Sequence, residues 1–161
     1  MEKVLVTGAT GYIALHCVQQ LLDQGYAVNG SIRSPERKNE VIEALKNSGT
    51  STENLNLFVF DLTNDEGWDD GMEGCDYLLH VASPLALENH TEDYFVKPAV
   101  AGAKRALKFA KKHGVKKVVL TSSVAAIFET GEEKVFYDES DWSDPDNPNI
   151  SNYAKSKTLA E

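Results

Sequence analysis

Cationic charge is scarce in this 161-residue chain: 16 Lys and Arg stand against 25 Asp and Glu, a formal net charge of −9. Nucleic acid and anionic membrane surfaces both need a cationic footprint, so neither is expected as a partner. Cysteine is scarcer still. Cys17 and Cys75 are the only two, without metal-like or redox-like spacing; they read as buried thiols of a reducing compartment, and no metal site is expected. No apolar run approaches membrane-spanning length. Strand-like residues begin at Lys3, leaving no room for a signal or transit peptide in front. Repeats, linkers and low-complexity tracts are absent as well. The expectation is a cytoplasmic protein with one domain over residues 1–161.

What the chain does have is alternation. Short apolar runs at residues 3–7 (KVLVT), 27–32, 55–60, 77–82 and 117–121 predict buried strands. Helix-period segments lie between them. In residues 12–24, Ile13, Cys17 and Leu21 form one stripe and Ala14, Val18 and Leu22 the next, with Gly25 beyond as a cap. Residues 35–46 predict a second helix with Pro35 in its first turn, residues 65–72 a short third, and residues 93–113 a longer fourth, bent or begun at Pro98. A final helix starts near Ser151 and is cut by the end of the chain. Residues 129–149, acidic and rich in Pro, Asp and Asn, predict a long loop with a short strand at 134–137. Strand–helix alternation implies right-handed crossovers and a parallel sheet covered on both faces. The predicted class is α/β: a Rossmann-type doubly wound parallel sheet in the order 3-2-1-4-5.

The first crossover carries chemistry. In "TGATGYIA", residues 7–14, Gly8, Gly11 and Ala14 stand at three-residue spacing between a strand and an amphipathic helix. Without a β-carbon Gly8 can take a tight turn, and Gly11 lets backbone amides approach a pyrophosphate. Free N–H groups and the helix dipole then face the anion, while Ala14 lets the helix lie close on the sheet. At the end of the second strand, "NGSIRSPERK" holds no acid before Glu36, and Arg33 comes first among its cations. An acid there would bind a ribose 2′-hydroxyl; a guanidinium suits a 2′-phosphate. This favours NADP over NAD, with Arg37 and Lys38 read as the solvated start of a helix.

TGATGYIA resembles the TGxxGxxG/A fingerprint of the extended short-chain dehydrogenase/reductase family. The nearest branch holds dihydroflavonol reductases and related aldehyde and ketone reductases. The resemblance implies cofactor contacts from Thr7, Gly8, Gly11, Tyr12 and Ile13, with Arg33 on the 2′-phosphate. It further implies adenine recognition by Asp61 and Leu62, although Asp61 could equally cap the turn at Thr63 and Asn64. Val81, Ala82 and Ser83 of "HVASP" would line the cofactor channel, and His80 reads as a packed or hydrogen-bonded residue. "YAKSK" places Tyr153 and Lys157 on one helical face, where the family keeps its YxxxK. A free tyrosine, with a pKa of about 10, is a poor acid near neutrality. A nearby ammonium and the cationic oxidised nicotinamide favour the phenolate. By resemblance Tyr153 protonates a carbonyl oxygen as hydride arrives, Lys157 also holds the ribose hydroxyls, and Ser123 of "LTSSV" orients the substrate oxygen.

The implied function is therefore NADP-dependent reduction of a small-molecule aldehyde or ketone. The alternatives are a non-catalytic dinucleotide-binding module and a sugar-nucleotide epimerase or dehydratase. Against the latter, "KPAVAGAKRAL" has Ala99 and Ala103 where epimerases carry Asn and Thr. Phe128 replaces the Asn that flavonoid reductases carry five residues after the serine, which puts a polyphenol substrate in doubt. Asn29 stands where an Arg is common. Family members run well beyond residue 161, so the domain is expected to be truncated before its C-terminal strands and substrate domain. Its fifth strand would be left as a sheet edge that a homo-oligomer could cover.

Overall fold

The computed structural model describes residues 1–85, 90–130 and 134–161. These fall into two compact units, Met1–Ala82 with Arg105–Thr121, and Ser83–Lys104 with Ser122–Glu161.

The first unit is a parallel sheet. Strands β1 (Lys3–Val6), β2 (Ala27–Ile32), β3 (Leu55–Val59), β4 (Tyr77–His80) and β5 (Lys117–Leu120) are ordered β3-β2-β1-β4-β5. In register, Val4 pairs Val28 on one side and Tyr77 on the other, and His80 pairs Leu120. The order matches the predicted Rossmann-type arrangement.

Alternation along β1 explains why both faces are covered. Val4 and Val6 join Val28 and Ile32 in a cluster with Ala14 and Val18 of α1 (Tyr12–Asp23) and Val41 and Leu45 of α2 (Lys38–Asn47). Leu5 points the other way, to Leu78, Phe60, Cys75, and Trp68 and Met72 of α3 (Trp68–Met72). Ala106, Phe109 and Ala110 of α4 (Glu92–Lys112) complete that second cluster. Each fully buried side chain of this size contributes about 1.5–3 kcal/mol. Burial pushes the Cys75 thiol up to about 11, so it stays protonated and unreactive near neutrality. Ion pairs of Asp65 with Arg105 and Lys108, and of Asp69 with Lys112, tie the α3 region to α4.

Two predicted boundaries shift. The segment after Pro35 opens with a 3-10 turn, Pro35–Arg37, before α2. Pro98 neither starts nor ends α4, which already runs from Glu92. A proline there forfeits one backbone hydrogen bond, and 21 helical residues keep the remainder.

The second unit contains the first part of α4, then α5 (Ala125–Phe128) and α6 (Asn152–Ala160). Helix α5 was not predicted. Residues 134–137 form no strand, since all five strands of the sheet lie elsewhere and a strand without a ladder leaves its amides unpaired. Helix α6 begins where the sequence indicates, with the Ser151 hydroxyl accepting from the Ala154 N–H at 3.1 Å.

Candidate functional site

The turn from Thr7 to Gly11 is built from the sheet outward. Thr7 is fully buried, and its hydroxyl oxygen accepts from the N–H groups of both Val81 and Ala82, each at 3.0 Å. With both lone pairs used, the hydroxyl proton goes to His80 Nδ1, also at 3.0 Å, which puts the imidazole proton on Nε2. His80 is thus a buried hydrogen-bond acceptor, as the sequence suggests. The next two amides are fixed by β2: Gly8 N–H donates to Ser31 Oγ and Ala9 N–H to the Ser31 carbonyl, both at 2.8 Å. Gly8 has φ +76°, and a β-carbon there would stand 3.0 Å from Ala82 Cβ. The position demands glycine on both counts. Gly30 serves the same packing, because a β-carbon on it would meet Ala9 Cβ at 3.0 Å and Leu57 at 2.8 Å.

Gly11 is the N-cap of α1. It offers the first-turn N–H groups no side-chain acceptor, and no acid stands in that turn. Tyr12 and Ile13 are 80 % and 59 % exposed despite following a buried strand. An open helix N-terminus without a protein acceptor fits the phosphates of a dinucleotide.

The cations beside this turn divide. Arg37 is committed: its guanidinium donates to Thr10 Oγ1 at 3.0 Å and forms an ion pair with Glu40 at 2.7 Å. Arg33, one residue past β2, is exposed and makes no ion pair or side-chain hydrogen bond among the described residues. Lys38 is exposed in α2. Asp61 does act in the local turn, with Oδ1 accepting from the Thr63 N–H at 2.8 Å and the Thr63 hydroxyl at 2.6 Å. Its backbone carbonyl accepts from Trp68 Nε1 at 2.9 Å, and the Leu62 carbonyl accepts from Arg105. Val81, Ala82 and Ser83 are half-buried, and the Val81 and Ala82 amides are held by Thr7. Asn29 lies in the core with its amide on the Gly71 carbonyl at 2.8 Å, away from the turn.

The second unit holds the remaining candidates. Ser123 stands before α5, its hydroxyl accepting from the Ala125 N–H at 3.2 Å. Tyr153 and Lys157 share one face of α6, with Lys157 Nζ 5.8 Å from the centroid of the Tyr153 ring. Lys157 is only 6 % exposed. Burial holds its ammonium below the ordinary lysine range, partly offset by the Glu161 carboxylate. Phe95 of α4 meets the Tyr153 ring edge-on at 6.2 Å. The sequence did not indicate Glu129 and Ser143, whose hydrogen bonds link α5 to the start of α6. A carboxylate 22 residues from its partner leaves no local pattern to read.

The sequence profile of the NAD dependent epimerase/dehydratase family matches residues 4–161. Vestitone reductase of Medicago sativa is 40% identical over 99% of this chain and 51% of its own length. Dihydroflavonol 4-reductase of Solanum lycopersicum is 37% identical over 89% of this chain and 38% of its own length. Among solved structures, the yeast methylglyoxal/isovaleraldehyde reductase Gre2, complexed with NADPH, superposes with a TM-score of 0.83 at 31% identity, over 98% of this chain and 50% of that one. The chain thus spans about half the length of the relatives it matches.

Proposed function

This chain belongs to the NAD dependent epimerase/dehydratase family, and on that premise we propose that it carries the cofactor-binding and proton-transferring residues of an NADPH-dependent reductase of small aldehydes or ketones. The observation that carries the proposal is the pairing on α6, where a buried lysine stands beside a tyrosine on one helical face. A buried cation acts on nearby charge more strongly than an exposed one.

Thr7, Gly8, Gly11, Tyr12 and Ile13 hold the pyrophosphate portion of the cofactor. Arg33 takes the 2′-phosphate, Asp61 and Leu62 the adenine, and Val81, Ala82 and Ser83 the channel beyond. When bound, NADPH supplies a hydride to the carbonyl carbon. The Tyr153 hydroxyl gives its proton to the carbonyl oxygen, leaving an alcohol. Ser123 donates a hydrogen bond to the same oxygen and orients it. Lys157 stabilises the phenolate left on Tyr153 and binds ribose hydroxyls. The reductase names of the relatives support this reading over epimerisation, as do Ala99 and Ala103 in α4.

The test is loss of the reduced-nicotinamide absorbance when the chain, NADPH and a panel of aldehydes and ketones are mixed. Turnover of at least one carbonyl is expected. NADPH binding without any turnover would favour a dinucleotide-binding module instead.

A further inference from the structure

Helix α6 (Asn152–Ala160) is joined to the rest of its unit by side-chain contacts. At its far end the Ser122 hydroxyl donates to Glu161. At its start, beside Tyr153, three contacts converge. Asn152 Nδ2 donates to the His90 carbonyl at 2.9 Å, and Lys155 pairs with Glu92 at 3.1 Å. Both of these reach toward the beginning of α4. The third contact reaches α5. Glu129, half-buried at the C-cap of α5, accepts from Ser151 with both carboxylate oxygens, the N–H at 2.7 Å and the hydroxyl at 2.9 Å.

The Ser151 hydroxyl, having donated to Glu129, still accepts from the Ala154 N–H. One carboxylate therefore fixes the N-cap of the helix that bears Tyr153 and Lys157, and its negative charge suits that helix end. Glu129 is itself held at the opposite side. Its N–H donates to Ser143 Oγ at 2.8 Å, and the same hydroxyl donates to the Ala125 carbonyl at 2.8 Å. Ser143 N–H in turn donates to the Ala126 carbonyl at 2.8 Å. Helix α5 begins two residues after Ser123, so an unbroken series of hydrogen bonds runs from the Ser123 segment through Glu129 to the first turn of α6.

We infer that Glu129 is a positioning residue: by clamping Ser151 it sets Tyr153 and Lys157 relative to Ser123. This rests on the proposed reaction for its consequence, though not for the clamp itself. A carboxylate suits this pose, because each of its oxygens takes one Ser151 donor, whereas a glutamine held the same way would turn its NH2 toward one of them.

The test uses the full chain with Glu129→Ala and Glu129→Gln. Amide hydrogen exchange is measured at Ala154–Lys157 and, as the control for global unfolding, at Val4–Val6; NADPH affinity and steady-state kinetics are measured in parallel. A lost hydrogen bond to a charged group corresponds to about tenfold or more. Glu129→Ala should thus speed α6 exchange by about that factor, leave β1 exchange unchanged, and weaken NADPH binding through the displaced Lys157. It should also lower kcat by about tenfold with KM within about twofold, and Glu129→Gln should fall between. Unchanged α6 exchange, equal loosening of β1, or faster α6 exchange with wild-type kcat would each overturn the inference. A wild-type chain that turns over no carbonyl would count against the proposed reaction instead, and the exchange data would still decide the clamp.

Discussion

The two units of this chain hold their candidate residues by different means. In the sheet unit the turn from Thr7 to Gly11 is an outgrowth of the fold: Thr7 and Ser31, both buried in strands or at their ends, fix the amides of Gly8, Ala9, Val81 and Ala82. In the second unit, which has no strand among its described residues, Ser123 precedes α5 and Tyr153 and Lys157 lie on α6, two helices joined by side-chain hydrogen bonds through Glu129 and Ser143. The first arrangement is rigid because disturbing it disturbs the sheet. The second is held by single side chains, each of which can be removed without disturbing a sheet.

That contrast predicts where function and stability separate. The largest effect should come from Tyr153→Phe, which removes the proposed proton donor and should cut turnover by about 10²–10⁴-fold, with NADPH affinity and the urea midpoint unchanged. A parallel fall in stability would mean the second unit is no more adjustable than the first. Thr7→Val acts on stability instead. It keeps the shape but removes the hydroxyl that the half-buried Val81 and Ala82 N–H groups and His80 Nδ1 bond to, a loss of about 1–3 kcal/mol in unfolding free energy, read from urea denaturation.

The smallest effect concerns Lys157. Burial lowers its folded pKa, so between that value and about 10.5 the unfolded chain keeps a proton the folded chain has released. Stability from this group therefore rises with pH across that window and is lost below it. Lys157→Met should flatten the rise in urea midpoint on the alkaline side, below the ordinary lysine pKa of about 10.5. A rise of the same size in the variant would assign it to other groups.

The same division governs what could be read from sequence. Strand order, the α1 face and the Gly8 turn were legible because period-2 and period-3.6 burial repeats over many residues. The sequence read Arg37 as solvated; its commitment to Thr10 and Glu40, which leaves Arg33 as the open guanidinium, was not legible, since Thr10 lies 27 residues away. Helix α5 escaped because four residues hold barely one turn. The strand expected at 134–137 failed for the opposite reason: Val135 and Phe136 have strand-like composition, yet they stand exposed and pair with no strand among the described residues. Residue types propose an element, and only partners complete it.

The central claim, that the sheet unit is an NADPH site selected by Arg33, is tested most directly by fluorescence titration of the chain with NADPH and with NADH, repeated on Arg33→Ala. The account predicts tighter binding of NADPH than of NADH by about 10–100-fold, with the preference abolished in the variant and NADH affinity little changed. Equal affinity for both cofactors in the wild type, or a preference that survives Arg33→Ala, would contradict it.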